Sequence, residues 1–197
     1  MGRTAEGLVE FCKNKIGTAY VYGAKGEVLT EDKYNRLKEQ YGGMVWDSDK
    51  SKIGKMCCDC SGLISWYTGI IRSSTEYRNM AKNIYGIDYI AKAPVGAAVW
   101  KQGHIGVYIG NGEYIASDGS AYGVRKRKLS EADFKYWFRI ADVDYLNASE
   151  GRYKTIEQMP EWAKPTIQKL IDSGKIADKD NLDLSYDMVR VLVIMDR

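Results

Sequence analysis

The chain has 197 residues, of which 45% are hydrophobic and 28% charged, and it carries a net charge of +3. That length supports one well-buried core, or one main domain with a small appendage, and leaves no room for two large domains. The composition excludes a disordered chain, and so mild a positive charge makes no case for nucleic acid as a partner.

The N-terminal stretch MGRTAEGLVEFCKNK lacks the charged start, apolar middle and small-residue cleavage site of a signal peptide. Synthesis in the cytoplasm is expected, with a separate route of release if the protein works outside the cell. No run of about 18 apolar residues occurs, so membrane insertion is not expected. The predicted elements begin with a helix in which Leu8, Phe11, Cys12 and Ile16 recur at helical spacing before Gly17 stops it. Cys12 reads as a buried structural thiol on its apolar face. Thr30 can cap a short helix with Tyr34, Leu37 and Tyr41 on one side. After Cys60, the positions Leu63, Ile64, Tyr67 and Ile71 repeat the helical period, and a further helix is expected from about Ser74 to Tyr85.

From Val95 the pattern changes to strands, over 95–100, 104–110, 113–117, 123–128 and 136–143, with a hairpin signal at Gly110-Asn111-Gly112. Helices followed by an antiparallel sheet predict an α+β domain, assigned to residues 1–147. The basic run Arg125-Lys126-Arg127-Lys128 reads either as a solvated edge strand protected by its charge or as a contact for an anionic polymer. The Asn147-Ala148-Ser149 sequon carries little weight without secretion.

Residues 148–197 are expected to form a small, mainly helical C-terminal module. Thr155 and Gln158 have capping-box spacing, Trp162, Ile167, Leu170 and Ile171 make an apolar face, and Gly174 ends that helix. Ser185 opens the apolar stretch MVRVLVIM, read as a helix because Asp187 suits a first turn. So short a segment buries little surface alone and must pack on the main domain, on a copy of itself or on a ligand.

The chemistry concentrates in KMCCDCSGLISWYTG, residues 55–69, which holds three of the four cysteines. A metal site would need ligands beyond Cys57, Cys58 and Cys60, and the chain has a single histidine, His104, far away in sequence. A thioredoxin-like pair belongs in a strand-first βαβ setting, whereas helices precede the sheet here. A nucleophile fits better: Cys60 stands where a loop becomes a helix, and the unpaired N–H groups there favour a thiolate and can form an oxyanion hole. The imidazole such a nucleophile needs can come only from His104. Cys57 and Cys58 read as neighbours in the loop leading to the site. No metal and no cofactor are expected.

The segments DCSGL, Asp59 to Leu63, and GHIGVYIGNG, Gly103 to Gly112, resemble the two signatures of the NlpC family of papain-like cell-wall cysteine peptidases. GTAYVYG, Gly17 to Gly23, resembles a third element, whose tyrosine, matching Tyr20, lines the site. The resemblance spans roughly residues 5 to 145. It implies N-terminal helices packed on an antiparallel sheet, and hydrolysis of an amide in the peptidoglycan stem peptide, typically between D-glutamate and the following diamino acid. N-acetylmuramoyl-L-alanine amidase activity is the alternative. The resemblance also implies attack by Cys60, acid–base work by His104, and contacts of Asp59 and Ser61 with the amino end of the stem peptide. The C-terminal segment resembles modules of endolysins from phages and prophages of clostridia-like Gram-positive bacteria, which bind the wall or oligomerise. Such a lysin would reach the wall after holin-mediated release.

One position departs from the family pattern. Twelve residues after the histidine, members usually carry a polar side chain that orients the imidazole, and Ala116 stands there. This motivates the reading of a degenerate wall-binding module. Asp118 is the candidate substitute: a three-residue loop at 110–112 would put it opposite His104, whereas a two-residue Asn111-Gly112 turn would pair it with Ile105.

Overall fold

The structure is a computed structural model that describes residues 3–145, 152–177 and 182–196. The chain forms two compact units, Met1–Tyr145 and Leu146–Arg197. The expected boundary between 147 and 148 and the Asn147-Ala148-Ser149 sequon lie outside the described residues.

The first unit opens with α1, Ala5–Asn14, capped by Thr4, whose hydroxyl accepts from the Gly7 N–H at 3.1 Å. Leu8 and Cys12 are fully buried, but Ile16 lies past the helix end and is exposed. Strand β1, Lys25–Val28, precedes α2, Glu31–Tyr41, which Thr30 caps as expected. Strand β2, Met56–Cys58, pairs antiparallel with β1 and leads into α3, Cys60–Thr68. Gly69 ends α3 in the left-handed region at φ 68°, so Ile71 falls outside the helix and stands exposed.

The helix expected over 74–85 is shorter. Helix α4 covers Ser74–Asn79, with a capping box between Ser73 and Glu76, and residues 84–86 form strand β3 instead. Pairing with a distant strand overrides local propensity there. Strands β4, Ala98–Lys101, β5, His104–Gly110, β6, Glu113–Ser117, β7, Val124–Lys128, and β8, Tyr136–Phe138, complete an antiparallel sheet in the order β3-β8-β4-β5-β6-β7. The strand expected over 136–143 therefore ends early, at Phe138.

The sheet is covered on both faces. Leu8, Cys12, Leu63 and Ile64 pack on Ile105, Val107 and Ile115, while Tyr108, Tyr114, Ala116, Phe134 and Trp137 fill the other side. This alternation along β5 and β6 is the two-residue period of a strand. Truncating a fully buried side chain such as Leu63 to alanine costs about 2–5 kcal/mol. The unit is α+β.

The second unit has its own core, which includes Tyr153, Met159, Ile167, Leu184 and Val189. Strand β9, Arg152–Tyr153, pairs with β10, Leu184–Ser185. The capping-box residues Thr155 and Gln158 cap only a short 3₁₀ turn, 156–158, and the helix proper, α5, starts later, at Lys164–Asp172, with Pro165 in its first turn. Ser185 caps α6, Tyr186–Met195, so the apolar stretch is a helix. Among the described residues, no helix is long and apolar enough to cross a membrane.

Candidate active site

Cys60 is the first residue of α3. Asp59 caps that helix, accepting the Gly62 N–H at 2.5 Å. Gly62 allows a close approach, since a Cβ there would sit 2.1 Å from the Ala24 carbonyl oxygen. Two thiols of the cluster diverge, because alternation along β2 sends Cys57 into the core around Val21 and Leu37, and Cys58 into the core that Cys60 joins. Among the described residues, no group of three or more His, Cys, Asp or Glu side chains could hold a metal ion.

The Cys60 side chain is buried. Desolvation, followed by the charge of Asp59, pushes its thiol up to about 12, and hydrogen bonding from the backbone at Ile105 and Ser61 offsets this only in part. Burial thus opposes the thiolate that the helix N-terminus favours.

His104 opens β5. Asn111 and Gly112 form the hairpin turn, both at positive φ, 52° and 70°, as a two-residue primed turn requires. Gly110 pairs with Glu113, yet Tyr108 pairs with Tyr114, so Ile109 is an extra, bulged residue. The bulge shifts the register by one. Counting onward from Tyr108–Tyr114 brings Asp118 opposite His104, the arrangement expected only of a three-residue loop. The His104 Nε2 and Asp118 Oδ1 atoms are 3.0 Å apart. An ionised carboxylate only accepts, so Nε2 carries the proton and Nδ1 is the basic nitrogen. Burial raises Asp118, but hydrogen bonds from His104 and Arg125 outweigh it and hold the carboxyl at about 2. Ala116 is fully buried and faces Gly106, where it offers the imidazole nothing.

The imidazole stacks on Phe134 with ring centroids 5.6 Å apart. It lines a cavity of about 460 Å³ together with Asp118, Tyr114, Arg127, Lys101 and Phe134. Cys60 meets the same strand one residue along, at the Ile105 backbone. The two side chains thus meet adjacent positions of β5, and Nδ1, the nitrogen that Asp118 leaves free, is the one that can take the thiol proton.

Tyr20 stands near Cys60, its phenol raised by burial and then by the proximity of Cys60 and Asp59. Asp59 and Ser61 turn toward a residue that sequence reasoning missed. Lys25 Nζ donates to both Asp59 oxygens, at 3.0 and 2.8 Å, and to Ser61 Oγ at 2.8 Å, while the Gly23 N–H donates to Asp59 Oδ2 at 2.9 Å. A second lysine braces the surroundings. Lys52 Nζ donates to the Tyr20 carbonyl at 2.7 Å and to the Ser120 carbonyl at 2.8 Å, tying the Tyr20 segment to the loop that follows Asp118.

No protein-family model matches the sequence, and no curated protein matches it. Solved structures do resemble it. The peptidoglycan hydrolase RipB from Mycobacterium tuberculosis aligns at 22% identity and TM-score 0.47, covering 72% of this chain and 65% of that one. NlpC1 from Trichomonas vaginalis aligns at 17% identity and TM-score 0.46, covering 70% and 44%. The P60 domain of an antigen from M. avium subspecies paratuberculosis aligns at 21% identity and TM-score 0.46, covering 70% and 94%. The chain thus spans less than two thirds of the first two of these proteins.

Arg125 and Arg127 were also unassigned by the sequence, which offered only a solvated edge or a polymer contact for the basic run. Strand β7 is indeed at the edge of the sheet, but both arginines donate to Asp118 Oδ2, at 2.7 and 3.4 Å. Lys126 instead pairs with Glu113 at the surface, and Lys128 is exposed.

Proposed function

We propose that the chain is an NlpC-type cysteine peptidase that hydrolyses an amide of the peptidoglycan stem peptide, between D-glutamate and the following diamino acid. Three segments support this reading: DCSGL around Cys60, GHIGVYIGNG beginning at His104, and GTAYVYG with Tyr20. The observation that carries it is the His104–Asp118 pair at 3.0 Å, which presents a basic Nδ1 one residue from the backbone that meets the Cys60 sulfur. Asp118 supplies the orienting carboxylate that Ala116 lacks, which favours a working enzyme over a degenerate wall-binding module.

In the proposed reaction, His104 Nδ1 takes the Cys60 proton as the sulfur attacks the scissile carbonyl. Burial raises the Cys60 thiol above its ordinary value, which disfavours a thiolate formed in advance. The proton therefore leaves during attack rather than before it. The Cys60 backbone N–H lies in the first turn of α3, where N–H groups have no intrahelical partner, and would hold the oxyanion. The imidazolium then protonates the leaving amine, and water, deprotonated by the same nitrogen, releases the acyl group and restores the thiol. Asp118 holds Nε2–H throughout.

In this reading the chain is a phage or prophage endolysin of a Gram-positive host, acting on the wall after holin release. Its second unit serves in wall binding or in forming a homo-oligomer. Incubation with purified walls, scored by newly freed amino groups, tests the activity. Release by the wild type and none by Cys60→Ala is expected, and no release from walls of several species would overturn it. An amidase would instead free the amino group of L-alanine.

A further inference from the structure

We infer that Arg125 and Arg127 are positioning residues that act through Asp118, engaging one oxygen of its carboxylate so that the other is aimed at His104. This rests on the reading of His104 as the base.

Strand pairing puts the three side chains on one face. Arg125 lies opposite Ala116 and Arg127 opposite Tyr114, and two residues on from Ala116 comes Asp118. The carboxylate is divided between its partners: Oδ1 faces His104 Nε2 at 3.0 Å, while Oδ2 accepts from Arg125 Nε at 2.7 Å and Arg127 Nη1 at 3.4 Å. A carboxylate held through one oxygen alone can swing about its last torsion, which is broad and two-fold. Donors fixed on the second oxygen remove that freedom.

The arginines are themselves held. The Arg125 guanidinium lies 3.8 Å from the Tyr122 ring centroid, and Arg127 donates to the Glu131 carbonyl at 2.8 Å. The distribution of residue types along β7 points the same way. Arginine, with its rigid planar fork, occupies the two positions that face Asp118, and lysine occupies the outward positions 126 and 128. A strand needing only charge at its edge has no reason for that alternation.

His104 is the only histidine, so ¹⁵N-histidine labelling of the full chain gives a single imidazole to follow. The wild type should show the Nε2–H tautomer. Arg125→Gln and Arg127→Gln should each reduce its population, and the pair should lower wall hydrolysis about 10- to 100-fold, as for loss of other orienting partners. In an Asp118→Asn background, Arg125→Gln should have little further effect on the rate. Arg125→Lys keeps the charge without the fork and serves as the probe should the glutamine variants unfold; it should weaken the tautomer preference as well. An unchanged tautomer in these variants, or an equal loss of rate with and without Asp118, would overturn the inference. The tautomer is read without turnover, so it decides the role of the arginines even if His104→Ala proves fully active and the catalytic reading fails.

Discussion

The Asp118 carboxylate reaches His104 across 14 positions of sequence because one bulged residue, Ile109, corrects the register of the hairpin between them. The pair fixes which imidazole nitrogen is basic. Asp118→Asn should therefore cut hydrolysis by about 10³- to 10⁴-fold, since an amide can donate to the ring and stabilise the wrong tautomer. Rates of amino-group release from walls measure this. A loss below tenfold would mean that Asp118 does not orient the base.

Position 116 should not accept the polar residue that the family pattern carries there. Ala116 is fully buried among Tyr114, Phe134 and Trp137. Ala116→Glu would bury a carboxylate without a partner, and should destabilise the fold by about 3 kcal/mol or more without raising activity. Denaturant titration against the wild type checks it.

Asp118 also makes stability depend on pH. Its folded value of about 2 lies below the ordinary 3.8. Between those values the unfolded chain binds a proton that the folded chain does not, so lowering the pH favours unfolding. The contribution, about 2 kcal/mol, is fully present above pH 3.8 and is lost as the pH falls through about 2. Unfolding curves of wild type and Asp118→Asn should converge in that window, and parallel curves would contradict the assignment.

The Cys60 thiol should behave as a poor free nucleophile. With its pKa near 12, alkylation by iodoacetamide should rise about tenfold per pH unit from pH 8 to 10, with no plateau near neutrality. Lys25→Met should slow it further, because the Asp59 charge would then act on the sulfur uncompensated. The same change should cost about 2 kcal/mol or more by leaving that buried carboxylate without its cation, and Asp59→Asn should recover much of the loss. A plateau at neutral pH would point to a preformed thiolate–imidazolium pair instead.

These features differ in how far they can be read from the chain. The α+β order was legible because the hydrophobic period switches from helical to alternating at Val95, and Thr30 and Ser185 mark their helices by local chemistry. The position of Asp118 was half legible. Strand periodicity reduced it to two registers, and the choice between them rests on the bulge at Ile109, which the turn residues Asn111 and Gly112 do not by themselves specify. Lys25 was invisible, since it meets Asp59 from 34 residues away with no local motif. The Arg-Lys-Arg-Lys alternation did carry a signal, the split between forked and flexible cations on the two faces of one strand, that a count of charge alone overlooks. Residues 84–86 misread as helix because their pairing with 136–138 is a long-range choice.

In the proposed reaction, Cys60, His104 and Asp118 together hydrolyse a stem-peptide amide. Mass spectrometry of defined muropeptides incubated with the full chain tests it most directly. Two fragments from cleavage between D-glutamate and the diamino acid, together heavier than the substrate by one water, are expected from the wild type and not from Cys60→Ala or His104→Ala. Intact muropeptides after wild-type treatment, or the same fragments from Cys60→Ala, would contradict it.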